Sequence, residues 1–303
     1  MEIRGTTQIY GLIGNPVAHS ASPQLQNLFA EDAGLDMAYV TFPVADRDSV
    51  GRAVEGAFAL GIGGLNVTVP YKGDVIPFVR AVDPMAERIG SVNTLVRTEG
   101  GYKGYNTDCG GFLGALRRKK IMLKDRDVVM IGAGGVARTI AFACAAEGTR
   151  SLTILNRTAR KAEKLAEEVR RSVSGVKESE NKQNEIRIQA GSLARLHALT
   201  VDLSKITVIQ CTSAGLYPDT DVSPLDGICG ADGFLRRTEF AFDVIYRPRE
   251  TKFLRSVREA GGDTLDGLSM LVGQGAESFT LWTGVSIPDE EFDKAVNMLE
   301  EQL

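Results

Sequence analysis

Apolar and polar positions along the chain follow two rhythms. Short apolar runs recur at 8–14, 37–42, 65–69, 128–131, 151–155, 186–189, 207–211 and 240–245. Runs of that length, bounded by Gly, Asn or Pro, predict buried strands. Between them apolar residues return every three or four positions. Val50, Val54, Ala57 and Phe58 share one face of 46–60, and Ala162, Leu165, Ala166 and Val169 share one face of the stretch after Asn156. That spacing predicts amphipathic helices. Further helices are expected at 23–33, 83–89, 136–147, 193–199, 249–260, 268–282 and 288–300, with another opening at Asp108 and running through Leu116. Residues 91–97 and 101–106 predict a hairpin turning on Glu99, Gly100 and Gly101. The polar stretch 170–185 reads as a helix end and a surface loop; 212–218 and the glycine-rich run to Gly233 read as loops. Strands alternate with helices twice over, which predicts an α/β fold, and 303 residues suggest two domains.

One junction of the pattern carries chemistry. In 127–138, DVVMIGAGGVAR, a buried-strand run meets Gly132, Gly134 and Ala137 on a G-x-G-x-x-A spacing, and an Ala-rich helix follows. Strand, glycine turn and helix form the first half of a dinucleotide-binding unit. Gly132 suits a tight turn, Gly134 a close approach to a pyrophosphate, and Ala137 close packing of helix on sheet. Exposed N–H groups at the helix start would face the phosphates. A plain tight loop is the alternative. The next strand ends on Asn156, Arg157 and Thr158, with Arg160 and Lys161 beyond. NAD-binding units place a carboxylate there for the ribose hydroxyls. A guanidinium instead clamps a 2′-phosphate through paired hydrogen bonds, so the chemistry leans to NADP. A solvated helix start is the alternative for these cations.

Other candidates are ambiguous on local grammar. Ser22 precedes Pro23 and suits a helix N-cap. Lys72 follows the run 65–69 and so stands past the carboxyl end of an expected strand, the edge where open α/β sheets bind ligands. A surface lysine explains it equally. Asp108 opens a helix, which suits a cap, but it also lies at an expected domain boundary, where active sites concentrate.

Composition narrows the classes. The chain is 43% hydrophobic and 24% charged with a net charge of −4, ordinary for a globular protein and unlike a nucleic-acid binder. No apolar run has membrane-spanning length, and the start MEIRGTTQIY lacks the apolar core of a signal peptide. Four cysteines, Cys109, Cys144, Cys211 and Cys229, form no C-x-x-C pair, which suggests reduced thiols and a cytoplasmic location. With only His19 and His197, a zinc site or a histidine triad is not expected, and proton transfer falls to Lys, Asp, Glu or Tyr.

Taken together, the motifs resemble those of the shikimate dehydrogenases over nearly the whole chain. They are GNPVAHSASP (14–23), NVTVPYK (66–72), GSVNTL (90–95), GYNTDCGG (104–111), IGAGGVAR (131–138), LNRT (155–158), CTSAGL (211–216), FDVIYRPRET (242–251) and MLVGQGAESFTLWTG (270–284). The resemblance implies two α/β domains with the active site in the cleft between them: a substrate-binding domain at 1–107 and 268–303, and a Rossmann NADP-binding domain at 108–267. It implies Lys72 and Asp108 as a catalytic acid/base pair. It gives Ser20 and Ser22 to the substrate carboxylate, Thr68, Asn93 and Gln274 to the ring hydroxyls, and Tyr246 to the same pocket. Gly132, Ala133, Gly134, Gly135, Val136 and Ala137 fall in the NADP site, with Asn156, Arg157, Thr158 and Lys161. Thr212, Val244 and Gly267 line its nicotinamide end.

The implied activity is reversible reduction of 3-dehydroshikimate to shikimate, a step toward chorismate and the aromatic amino acids. The expected partners are small molecules, with neither nucleic acid nor membrane, and the chain is expected as a monomer or homodimer. Two departures are mild: Ser91 stands where the family more often has Ala, and the polar stretch after Arg170 is long. The alternatives are a dual-specificity quinate/shikimate dehydrogenase, an aminoshikimate-type paralogue and a non-catalytic NADP-binding sensor of the same fold.

Overall fold

The computed structural model describes residues 2–174, 186–200 and 202–302. The chain folds into two compact units, Met1–Ala115 with Ser269–Gln302, and Leu116–Leu268.

The first unit opens with β1 (Gln8–Gly14), α1 (Ser22–Asp32), β2 (Met37–Pro43), α2 (Val50–Ala59) and β3 (Gly64–Val67). It continues with β4 (Ala81–Val82), α3 (Pro84–Ile89), the hairpin β5 (Thr94–Thr98) and β6 (Gly101–Tyr105), and α4 (Thr107–Arg118). Its sheet runs β2-β1-β3-β5-β6-β4. Only β5 runs against its neighbours, antiparallel to both β3 and β6. Val54, Leu65, Val67, Leu95 and Tyr102 lie in one buried cluster of this unit. Because α4 starts directly on the β6 end, this unit keeps it as far as Ala115; the expected boundary at 107/108 falls at the start of this helix.

The second unit contains β7 (Asp127–Ile131), α5 (Gly135–Ala146), β8 (Ser151–Asn156), α6 (Ala159–Ser174), β9 (Arg187–Ser192) and α7 (Leu196–Thr200). After these come β10 (Ile206–Gln210), α8 (Ala231–Leu235), β11 (Thr238–Asp243), α9 (Lys252–Glu259) and β12 (Asp263–Leu265). Every pairing in its sheet, β12-β11-β10-β7-β8-β9, is parallel. The strand order reverses between β7 and β10, which makes their carboxyl ends the switch point where such sheets bind ligands. The fully buried run of β7 suits a strand covered on both faces. The chain then returns to the first unit as α10 (Leu268–Thr283) and α11 (Asp289–Glu300). There Phe279 packs edge-on against Phe29 of α1, and Trp282 lies against Tyr10 and Tyr39.

Several elements differ from the sequence expectation for local reasons. The helix expected at 46–60 starts as a 3₁₀ turn, Arg47–Ser49, with the Asp46 carboxylate accepting from the Ser49 N–H, and becomes α-helical only at Val50. The strand expected at 65–69 ends at Val67, because the Val69 carbonyl turns aside to accept from Asn15. The helix expected from Arg249 begins at Lys252: Arg249 is held by Asp266, and the Thr251 hydroxyl caps the Leu254 N–H. Two short elements were not expected: α8 overlaps the end of the glycine-rich run read as a loop to Gly233, and β12 follows the helix expected at 249–260. Of the polar stretch 170–185, residues up to Ser174 belong to α6; the loop expected over 175–185 lies outside the described residues. Among the described residues no helix is long and apolar enough to cross a membrane.

Candidate active site

In the first unit, strand direction gathers one set of side chains. Since β5 is antiparallel to β3 and β6, the end of β3, the start of β5 and the end of β6 share one sheet edge. Lys72 follows β3, Asn93 precedes β5, and Asn106 follows β6 and leads into α4. The Lys72 carbonyl accepts from the Val92 N–H at 2.8 Å, which fixes the lysine backbone beside the β5 entry.

The first turn of α4 is capped from outside. The Asn93 Oδ1 accepts from the Thr107 N–H at 2.7 Å, and the Asn106 Oδ1 accepts from the Cys109 N–H at 3.2 Å. Capping was one expectation for Asp108, and the two asparagines fill that role instead. The Asp108 carboxylate points elsewhere: Oδ1 accepts from Asn93 Nδ2 at 3.0 Å, and Oδ2 lies 2.6 Å from Lys72 Nζ. The Asp108 side chain is 11% exposed and that of Lys72 is 28%, so the pair is held from below and open at the ammonium end. A positioned ammonium beside a carboxylate can deliver a proton to a ligand oxygen and recover it.

A buried polar network supports this pair. Asn66 Nδ2 donates to the Asn93 carbonyl, the Thr94 hydroxyl and the Ser278 hydroxyl at 3.2, 3.0 and 2.9 Å. Its Oδ1 accepts from the Tyr39 phenol at 2.8 Å. The hydroxyls of Thr94, Thr107 and Ser278 are in mutual contact at 2.9–3.1 Å. Burial pushes the Tyr39 phenol well above its usual range, the Ser22 hydroxyl acting in the opposite sense. Ser20 and Ser22 occupy the turn into α1. Ser22 is the first helical residue rather than the N-cap; its N–H donates to Ser20 Oγ at 3.2 Å, and the Ser20 hydroxyl donates to Ser22 Oγ at 3.1 Å. Thr68 packs its methyl over Gly14, where an added Cβ would stand 2.3 Å away. Gln274 lies on α10, its Nε2 donating to the Leu271 carbonyl, its backbone N 2.7 Å from where a Gly111 Cβ would project. Lys72, Asp108, Ser20, Ser22, Thr68, Asn93 and Gln274 all belong to the first unit, whereas Tyr246 belongs to the second.

In the second unit the turn after β7 places Gly132 at φ +118°, and an added Cβ there would stand 2.9 Å from the Cys211 carbonyl. Gly132 is therefore required both by its backbone and by its neighbour. Around Gly134 and Gly135 no atom stands within 4 Å of where a side chain would begin, so the N-terminus of α5 is open. Ala137 is fully buried. At the end of β8, Asn156 donates from Nδ2 to the Thr158 carbonyl at 3.0 Å, Arg157 and Thr158 are exposed, and no carboxylate stands at the strand end. An open helix N-terminus beside cations fits a phosphorylated dinucleotide.

The carboxyl ends of β10 and β11 are organised by buried polar groups that sequence reasoning missed. Gln210, the last residue of β10, uses Nε2 to hold the Thr212 and Ala214 carbonyls at 3.3 and 3.1 Å, and its Oε1 accepts from the Thr212 N–H. Asp243, the last residue of β11, accepts from the Ile245 N–H at 3.0 Å and the Thr251 hydroxyl at 2.8 Å. Burial pushes its carboxyl up to about 7, with nearby Asp266 adding to the rise and the Ile245, Thr251 and Gln210 hydrogen bonds opposing it. Gly267 packs on Val244, whose carbonyl oxygen would meet an added Cβ at 2.2 Å. The signal for Gln210 and Asp243 was present: each is a polar residue inside an apolar run read as a strand.

Three family models match in chain order: the shikimate dehydrogenase substrate binding domain over residues 12–95, shikimate/quinate 5-dehydrogenase over 115–193, and the shikimate 5′-dehydrogenase C-terminal domain over 267–296. Shikimate dehydrogenase (NADP(+)) of Caldanaerobacter subterraneus is 40% identical over 300 residues, covering 97% of this chain and 96% of that protein. The chain belongs to the shikimate dehydrogenase family. The fold agrees with this membership. A crystal structure of a shikimate dehydrogenase in complex with NADP+ superposes with a TM-score of 0.85 at 35% identity, covering 98% of this chain and 97% of that one. The shikimate 5-dehydrogenase of Thermus thermophilus, solved with NADP(H) and shikimate, gives a TM-score of 0.78 at 33% identity, covering 96% of this chain and 99% of that one.

Proposed function

We propose that this member of the shikimate dehydrogenase family catalyses the reversible, NADP-dependent reduction of 3-dehydroshikimate to shikimate. The observation that carries the reading is the Lys72–Asp108 pair, 2.6 Å apart, with Asn93 on the second carboxylate oxygen. The curated relative is named for this activity, and the Thermus thermophilus structure holds both NADP(H) and shikimate. Bound NADPH supplies a hydride to the ring ketone. The carbonyl oxygen then gains negative charge, and Lys72 gives it a proton from Nζ, completing the alcohol. Asp108 holds the ammonium in place and steadies its charge, and Asn93 fixes the carboxylate. In the reverse direction Lys72 accepts the hydroxyl proton.

Ser20 and Ser22 offer hydroxyls to the substrate carboxylate. Thr68, Asn93, Gln274 and Tyr246 contribute polar groups toward the ring. Gly132–Ala137 and Asn156–Thr158 with Lys161 hold the NADP phosphates, and Thr212, Val244 and Gly267 border the nicotinamide. The cations after β8, in place of a carboxylate, support NADP over NAD. The first unit, with α10 and α11, serves as the substrate domain and the second as the NADP domain. The chain works in the cytoplasm on small molecules.

Lys72→Ala tests the assignment. General acid/base catalysis contributes about 10²- to 10⁴-fold, so kcat should fall by that order while KM for shikimate changes little. A folded variant that turns over near the wild-type rate would remove Lys72 from the chemistry.

A further inference from the structure

Beside the glycine turn, within the second unit, lies a hollow of about 360 Å³. Its walls come from the turn itself, from Arg138 on α5, and from Lys161, Lys164, Leu165 and Glu168 on α6. Three cations thus face one carboxylate. Arg138 stands in the first turn of α5, where its charge opposes the helix dipole and needs an anion. Glu168 is that anion here: it pairs with the Arg138 guanidinium and also stands 4.0 Å from Lys164 Nζ. Arg138 is further held over the Phe142 ring, 5.2 Å from its centroid, and its side chain is 29% exposed. The guanidinium is therefore fixed in the hollow rather than loose on the surface.

The direction of the hollow indicates which phosphate it would take. The pyrophosphate of a dinucleotide has the N–H groups of the turn for itself. The hollow extends from the turn toward the first turns of α6, the side on which Rossmann units place the ribose hydroxyls at the end of the second strand. A phosphate monoester carries about −1.5 to −2 charges, which matches the excess of cations over the single carboxylate.

We propose that Arg138 is a further specificity-determining residue, one that binds the 2′-phosphate of NADP together with Lys161 and Lys164, with Glu168 as its counter-ion when no phosphate is present. This rests on the dinucleotide site proposed above. The guanidinium leaves Glu168, in whole or in part, and forms charge-assisted hydrogen bonds with the phosphate oxygens.

The test is direct titration of the intact protein with NADP+ and with NAD+, read as a dissociation constant, so that no catalytic step enters. Arg138→Gln should weaken NADP+ by about ten- to a hundredfold, the range for hydrogen bonds to a charged group, and leave NAD+ within about twofold. Arg138→Lys keeps the charge without the fork and should fall between. Glu168→Gln should leave NADP+ as tight as in the wild type or tighter. Parallel weakening of both dinucleotides by Arg138→Gln would place the guanidinium on the pyrophosphate or in the fold and overturn the proposal. Equal loss of NADP+ binding in Glu168→Gln and Arg138→Gln would also overturn it, since the ion pair alone would then be what matters. Wild-type protein that binds neither dinucleotide would instead count against the site itself.

Discussion

Asp243 shows how one residue can set both a local geometry and a pH response. Its carboxyl is buried among an N–H, a hydroxyl and the Gln210 amide, near Asp266, which is itself held by Arg249, and near the Cys211 thiol, which burial raises. The folded group titrates at about 7, against 3.8 for the ordinary carboxyl. The folded state therefore binds the proton more tightly than the unfolded one. The stability this gives is fully present below the unfolded value and is lost as pH rises toward and through 7. Asp243→Asn resembles the neutral acid and cannot ionise. Urea unfolding at pH 4.5 to 8 should show the variant gaining on the wild type as pH rises, by up to a few kcal/mol, and levelling above pH 7. Parallel stability curves for the two proteins would contradict this. The Lys72–Asp108 pair is organised differently, by direct contact between opposite charges at a partly exposed position.

At the scale of elements, helix starts decide where side chains point. The α4 start is capped by Asn93 and Asn106, which leaves the Asp108 carboxylate for Lys72. The α9 start is capped by Thr251, a fully buried residue whose hydroxyl accepts from Leu254 and donates to Asp243. Thr251→Ala should cost about 1–2 kcal/mol, seen as a lower denaturation midpoint, and combined with Asp243→Asn it should be less than additive. Full additivity would mean that the two residues act independently.

Long periodic elements were legible in the sequence because burial imposes its period on them: the β7 run, α10 and α11 all stand within a residue or two of expectation. The differences cluster where one polar contact outweighs periodicity. Asp46 tightens a helix start into a 3₁₀ turn, Asp266 holds Arg249 outside its helix, and Val69 turns its carbonyl to Asn15. None of those partners is adjacent in sequence to the element it reshapes, except Asp46. The 3-residue β12 has too few residues to show any period. The contact between Lys72 and Asp108 was legible through the motifs NVTVPYK and GYNTDCGG. The network behind it was not: Tyr39, Asn66, Thr94 and Ser278 are far apart in the chain and meet only because β2, β3, β5 and α10 belong to one unit.

For the whole molecule, the two units repeat one principle. Each carries its polar side chains on loops at one edge of a largely or wholly parallel sheet, with a rigid scaffold beneath. In the first unit those side chains are suited to proton transfer and to hydroxyl-rich anions. In the second, the glycine turn and the cations of α6 are suited to phosphates. In chain order α10 and α11 follow the second unit and complete the first.

The most direct test is a steady-state assay that follows reduced nicotinamide by absorbance, pairing shikimate and quinate in turn with NADP+ and NAD+. The expected result is rapid turnover with shikimate and NADP+ and much slower turnover with every other pair. Comparable rates with quinate would move the chain to a dual-specificity enzyme with the same Lys72–Asp108 pair. Absence of turnover with all four pairs, in folded protein that binds NADP+, would contradict the account.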